Sequence, residues 1–251
     1  MIKGLLKNIA NKSGYRIIKK DFLDTFFHRN NDPHYRNSGD LNPLEQLFYK
    51  YLKDDFFFIQ VGANDGKRYD PIHHLIVQEK ASVKGIAIEP VKEYFNELQL
   101  TYKDFPQIKL VNKAIHNSEK ELPVYKIASW YKNAGEHLKG MSSFDIRNLT
   151  KDGIAEDDII AEKIPCISFM NLIGEEKITK LHLLQIDAEG YDLEIIRSID
   201  FNKIKPLVIN FEHRWKYNLI PEADIFKTLR ILIDSGYKIF LTGNDALAYI
   251  E

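Results

Sequence analysis

The 251-residue chain holds a single cysteine, Cys166, which excludes an intramolecular disulfide and fits a reducing compartment. Its surroundings, Ile164-Pro165-Cys166-Ile167, point to a small buried residue rather than a nucleophile. No apolar run reaches the roughly 18 residues that a membrane span requires, and no succession of charged, apolar and small residues marks a signal peptide, so the expectation is a soluble, cytoplasmic protein. An excess of either charge is missing too. The 35 lysines and arginines nearly balance 36 aspartates and glutamates, which argues against nucleic acid as partner. The chain lacks C-x-x-C and H-E-x-x-H, which leaves structural or protease-type zinc unsupported, and lacks the G-x-S-x-G elbow of serine hydrolases. No Pro/Gly/Ser-rich linker divides it, so one large α/β domain is expected over 54–251, behind an N-terminal helical extension over 1–53.

What is present begins with Phe56-Phe57-Phe58-Ile59-Gln60-Val61-Gly62-Ala63-Asn64-Asp65-Gly66, an apolar run that breaks into a turn of small residues. A second apolar run ends at Glu89. Strand, turn, helix and second strand make a nucleotide cradle: glycine lets backbone N–H groups approach a ligand, and an acid at the next strand end accepts from ribose hydroxyls. A dinucleotide fingerprint starting at Gly62 needs glycines at 64 and 67, where the chain has Asn64 and Lys67. The turn reads G-x-N-x-G instead, with an asparagine suited to left-handed backbone. It fits a cofactor without pyrophosphate, S-adenosylmethionine foremost.

Further strands are predicted at 84–89, 108–113, 181–186, 205–211 and 237–242, with helices at 43–53, 91–101, 190–198 and 222–235. The alternation implies a mostly parallel sheet covered on both faces. The last strand runs through Gly243-Asn244-Asp245 into Ala246-Leu247-Ala248-Tyr249-Ile250, a hairpin signal that ends a parallel sheet on an antiparallel strand. That ending is characteristic of the class I methyltransferase fold. Glu121–Ile127 is a candidate extra strand, and the long polar stretch 128–163 reads as a substrate lid. At the other end, Ile2, Leu5, Leu6 and Ile9 recur at helical spacing among lysines and Arg16. A basic amphipathic helix over 1–20 suits either an anionic membrane surface or packing against its own domain or a second subunit of a homo-oligomer.

The chemistry should gather where strands end in polar residues. Leu184-Gln185-Ile186 runs into Asp187-Ala188-Glu189-Gly190-Tyr191-Asp192, and Ile209-Asn210-Phe211 into Glu212-His213. Carboxyl ends of neighbouring parallel strands share one crevice, so Asp187 should face Gly62 and Glu89. A hydroxyl acceptor needs a base or a metal to stabilise the developing alkoxide. His213 is a candidate base, Asp187 and Glu212 candidate catalytic acids, and Asp187, Glu212 and His213 a candidate ligand set for Mg²⁺ or Mn²⁺. The structural alternative makes Asp187 and Glu189 caps of the following helix. His73 and His74 lie early in the first helix of the core, one a candidate for the cofactor cleft. Trp130, Tyr131, Phe144, Trp215 and Tyr217 could stack on sugar rings or pack in a core.

Taken together, Gln60–Gly66, Ile88-Glu89-Pro90, Asn112-Lys113-Ala114-Ile115, Ser142-Ser143-Phe144, the D-x-E-G-x-[DE] segment 187–192 and Phe211-Glu212-His213 resemble the FkbM-type S-adenosylmethionine-dependent methyltransferases over roughly 50–250. The resemblance implies a class I fold with a seven-stranded sheet and O-methylation of a sugar, glycan or sugar-nucleotide hydroxyl. It implies that Gly62, Asn64 and Asp65 lie against the methionine part of S-adenosylmethionine, Glu89 on its ribose, Ala114 near adenine, and Asp187 between donor and acceptor. Gln60 departs from the acid common near the cofactor ammonium, a charge that Asp65 or Asp187 would then supply. The rival readings are a nicotinamide-dependent sugar oxidoreductase and a non-catalytic S-adenosylmethionine-binding protein.

Overall fold

In the computed structural model the run at 56–61 forms strand β1 (Phe56–Val61), buried along nearly its whole length, as a central strand covered on both faces must be. The structure describes residues 42–53, 55–117, 120–131, 140–151, 153–213, 220–241 and 245–250. The basic segment 1–20, His137, Trp215, Tyr217 and the turn at 243–244 lie outside the described residues. Of the N-terminal extension, α1 (Pro43–Tyr51) is described: Asn42 and Glu45 close a reciprocal capping box, and Pro43 opens the first turn.

β1 pairs in parallel with β2 (Val83–Ile88) and with β8 (Leu183–Ile186). β2 continues to β3 (Ile108–Val111), and β8 to β9 (Val208–Glu212). β11 (Asp245–Tyr249) runs antiparallel to both β9 and β10 (Lys238–Leu241), so the seven-stranded order is β10-β11-β9-β8-β1-β2-β3 with one reversed strand. This is the α/β architecture expected. Helices α2 (His73–Gln78), α3 (Lys92–Thr101), α5 (Phe169–Glu175), α6 (Asp192–Arg197) and α7 (Glu222–Asp234) connect the strands. Alternating side chains of β1 divide the core: Ile59 and Val61 pack with Phe169 and Leu193, while Phe56 and Phe58 pack with Phe48, Leu75 and Leu98.

Between β3 and β8 the expected extra strand is present, and the departure from expectation follows it. Glu121–Ile127 is a strand, β5, and it pairs along its whole length with β7 (Ile159–Ile167). Residues 159–163, expected within the long polar stretch 128–163, thus belong to β7. β4 (Ala114–Ile115) and β6 (Ser142–Ser143) complete a second, four-stranded sheet, and a short helix α4 (Arg147–Thr150) follows β6. Val91, Ala114, Val124 and Ile164 close a small separate core beneath it, with Cys166 half-buried at its edge. Among the described residues no helix is long and apolar enough to cross a membrane.

Candidate functional site

The chain leaves β1 toward β2 on one side, and β8 leads away on the other, so a crevice opens at the carboxyl ends of these strands. A cleft lies there. Its floor comes from the strand ends Val61-Gly62, Ile88-Glu89 and Asp187-Ala188-Glu189, its wall from Ala114, Val124 and Ser142-Ser143-Phe144 of the second sheet.

Gly62 sits at φ +76°, and a Cβ there would lie 1.8 Å from the Asp187 carbonyl oxygen. Only glycine allows the β1 turn to pass so close to the β8 loop. Asn64 holds φ +50°, as its turn requires. Its N–H donates to Glu89 Oε2 at 2.8 Å, and its side-chain amide donates to Gly140 O at 2.9 Å, joining the turn to the insertion. Glu89 accepts a second N–H, from Val91, on Oε1. Burial of this side chain, only 3% exposed, pushes its pKa up to about 7 against those two bonds, and the nearby Glu189 charge adds to the rise. Asn112 secures the loop by donating to both Glu89 O and Pro90 O. Gly62, Asn64, Glu89, Ala114 and Asp187 thus all line one cleft.

Asp65 does not join them. Its carboxylate accepts from the N–H groups of Lys67 and Arg68 and from Arg68 Nε at 2.5 Å. Burial works to raise its pKa, but those bonds and the Arg68 charge outweigh it and hold the group below the ordinary range. The methionine-contact role expected of Asp65 is therefore corrected: it fastens the turn from behind. Gln60 is likewise turned away from the cleft, donating to Asp70. Of the two acids proposed for the cofactor ammonium, Asp187 is the one at the cleft.

Asp187, Glu189 and Glu212 bring carboxylate oxygens within 4.8 Å of one another. His213, expected in this set, is instead buried at 3% exposure beyond the end of β9, and Glu189 takes its place. Three hard oxygen donors are the chemistry that Mg²⁺ or Mn²⁺ accepts. The cluster is framed by Asp192, wholly buried, which accepts from Ala188 N at 3.2 Å and Glu212 N at 3.1 Å. Helix α6 has Tyr191 at its N-cap, with no side-chain cap bond from that residue.

His74 bonds Glu45 at 2.9 Å, and His73 packs near Tyr102; neither lines the cleft. Phe144 does, within an aromatic group in which His116 stacks on Tyr191 at 4.8 Å. Trp130 is 60% exposed. Sequence reasoning missed the amide row Gln60, Gln185 and Asn210, which stand side by side on β1, β8 and β9, with Asn210 donating to Gln185 at 2.8 Å. Polar residues within otherwise apolar central strands were the available signal. It also missed Asn148, a buried residue whose contacts lie far from it in sequence.

A family model described as the Methyltransferase FkbM domain matches residues 60–239. Among solved structures, a methyltransferase FkbM from Methylobacillus flagellatus is similar at a TM-score of 0.52 and 16% identity, with 98% of this chain and 60% of that one covered. A precorrin-6y C5,15-methyltransferase from Geobacter metallireducens aligns over 83% of this chain and 87% of its own at 12% identity, with a TM-score of 0.42. A search of curated proteins returns no match.

Proposed function

From the premise that the chain belongs to the FkbM methyltransferase family, whose members transfer a methyl group from S-adenosylmethionine, we propose that it O-methylates a hydroxyl of a sugar, glycan or sugar nucleotide. One observation carries the acceptor class: the carboxylates of Asp187, Glu189 and Glu212 converge at the rim of the donor cleft, and the first two also line it. Carboxylates accept hydrogen bonds from hydroxyls, and a polyol offers several at the spacing of such a cluster.

In this reading Glu89 accepts from the ribose hydroxyls, the Gly62–Asn64 turn holds the methionine part, and Asp187 lies between sulfonium and acceptor. The acceptor oxygen attacks the methyl carbon as the sulfur–carbon bond breaks, giving a methyl ether and S-adenosylhomocysteine. The acceptor proton passes to Asp187 or to the neighbouring carboxylate of Glu212. Asp187, Glu189 and Glu212 would hold a divalent ion, which when bound would lower the pKa of a coordinated hydroxyl.

Labelled S-adenosylmethionine incubated with a glycan extract of the source organism should place label in carbohydrate. Asp187→Ala and Glu212→Ala should each cut that incorporation by about 10² or more while S-adenosylhomocysteine still binds. Label in protein or lipid alone contradicts the acceptor class, and full activity of both variants contradicts the residue roles. Activity lost to chelator and restored by Mn²⁺ would establish the ion.

A further inference from the structure

Glu189 belongs at once to the donor cleft and to the carboxylate cluster, and its backbone is held in an unusual way. It adopts φ +49°, a left-handed conformation that disfavours a side chain, and Gly190 follows at φ +102°. Two consecutive residues of positive φ turn the chain sharply between β8 and α6. What opposes relaxation comes from the insertion rather than from the sheet. Ser143 Oγ donates to Glu189 O at 2.8 Å, and Asn148 Nδ2 donates to the same carbonyl at 2.9 Å. Ser143 Oγ in turn accepts from Asn148 Nδ2 at 2.9 Å and from Asp145 N at 3.1 Å, so its one donor and both lone pairs are engaged. Both side chains are about 5% exposed or less, where a satisfied hydrogen-bond network is strengthened by the low local dielectric. The fit is close on the glycine side as well: a Cβ at 190 would lie 2.9 Å from Asn148 Nδ2.

We propose that Asn148, with Ser143, is a positioning residue of the methyl-transfer site: from the inserted sheet it clamps the Glu189 carbonyl, fixing the left-handed turn that aims the Glu189 carboxylate between donor cleft and acid cluster. The insertion is then a working wall of the site, joined to it at Glu189 and, through Gly140, at Asn64. The inference rests on the reading of the cleft as an S-adenosylmethionine site.

The test is a double-mutant cycle read by calorimetric affinity for S-adenosylhomocysteine, with thermal melts run in parallel. Glycine tolerates positive φ without a clamp, so the two sites should be coupled. Asn148→Ala should weaken binding about tenfold in the parent protein and less than about twofold in the Glu189→Gly background. Ser143→Ala, which leaves the Asn148 bond to the carbonyl in place, should show the same dependence with a smaller loss, and it carries the cycle if Asn148→Ala does not fold. Equal losses in both backgrounds, or a lowered melting temperature with unchanged affinity, would overturn the proposal by assigning the clamp a purely structural role. Parent protein that binds no S-adenosylhomocysteine would instead overturn the donor reading on which it rests.

Discussion

Glu89 has two demands on one carboxylate: it holds the turn by accepting from Asn64 and Val91, and in the proposed reaction it also accepts from a ribose. Its burial favours the neutral form, with a pKa of about 7 in the ligand-free protein against an ordinary 4.5. The sign follows. A carboxyl whose folded pKa is raised gives the fold stability that is fully present below about 4.5 and is lost as pH rises through about 7. A ribose diol donates, and so it selects the ionised form. Affinity for S-adenosylhomocysteine should therefore fall as pH drops through 7, by up to about tenfold per pH unit for one coupled proton. Calorimetric titrations from pH 5.5 to 8.5 measure it. Glu89→Gln should flatten the slope and bind weakly throughout, whereas a flat profile in the parent protein would remove Glu89 from the ribose.

At the scale of elements, the second sheet is where sequence and structure part. β1 was legible residue for residue because six apolar-rich positions end in a glycine turn, and Gly62 and Glu89 were legible with it, since a strand end announces what its last residues face. β7 was not: it is half-exposed and contains Pro165, whereas its partner β5 was legible as an extra strand. Two-residue strands such as β4 and β6 carry no period at all. Asn148 stayed hidden, and so did the contacts of Ser143 and Asp192, for a different reason, because each acts on a backbone group brought near only by folding. The small core under this sheet gives it a measurable weak point. Ile164 packs with Val91, Ala114 and Val124, and the last two line the cleft. Ile164→Ala should cost about 2–4 kcal/mol by lost burial and a residual cavity. Chemical denaturation reads that loss, and S-adenosylhomocysteine affinity should fall with it, since the wall shifts with its core. Unchanged affinity in a destabilised protein would make the second sheet a passive appendage.

Across the whole molecule, the cleft is shared property. Its floor belongs to the seven-stranded sheet and its wall to the four-stranded one, and the links between the two at this point include Asn64 to Gly140, and Ser143 and Asn148 to Glu189. A ligand seated there touches both sheets, and the unfolded chain offers it no such cleft, so its binding free energy is added to the stability of the fold. At a hundredfold excess over its dissociation constant, S-adenosylhomocysteine should raise the unfolding free energy by about 2.7 kcal/mol. For a chain of this size that corresponds to an increase of roughly 5–10 °C in melting temperature, taking about 2–4 °C per kcal/mol. NADH at the same concentration is the discriminating control. Asn64 and Lys67 stand where a pyrophosphate turn has glycines, so a dinucleotide should leave the melt unmoved. A shift with NADH and none with S-adenosylhomocysteine would reverse the assignment of the cleft.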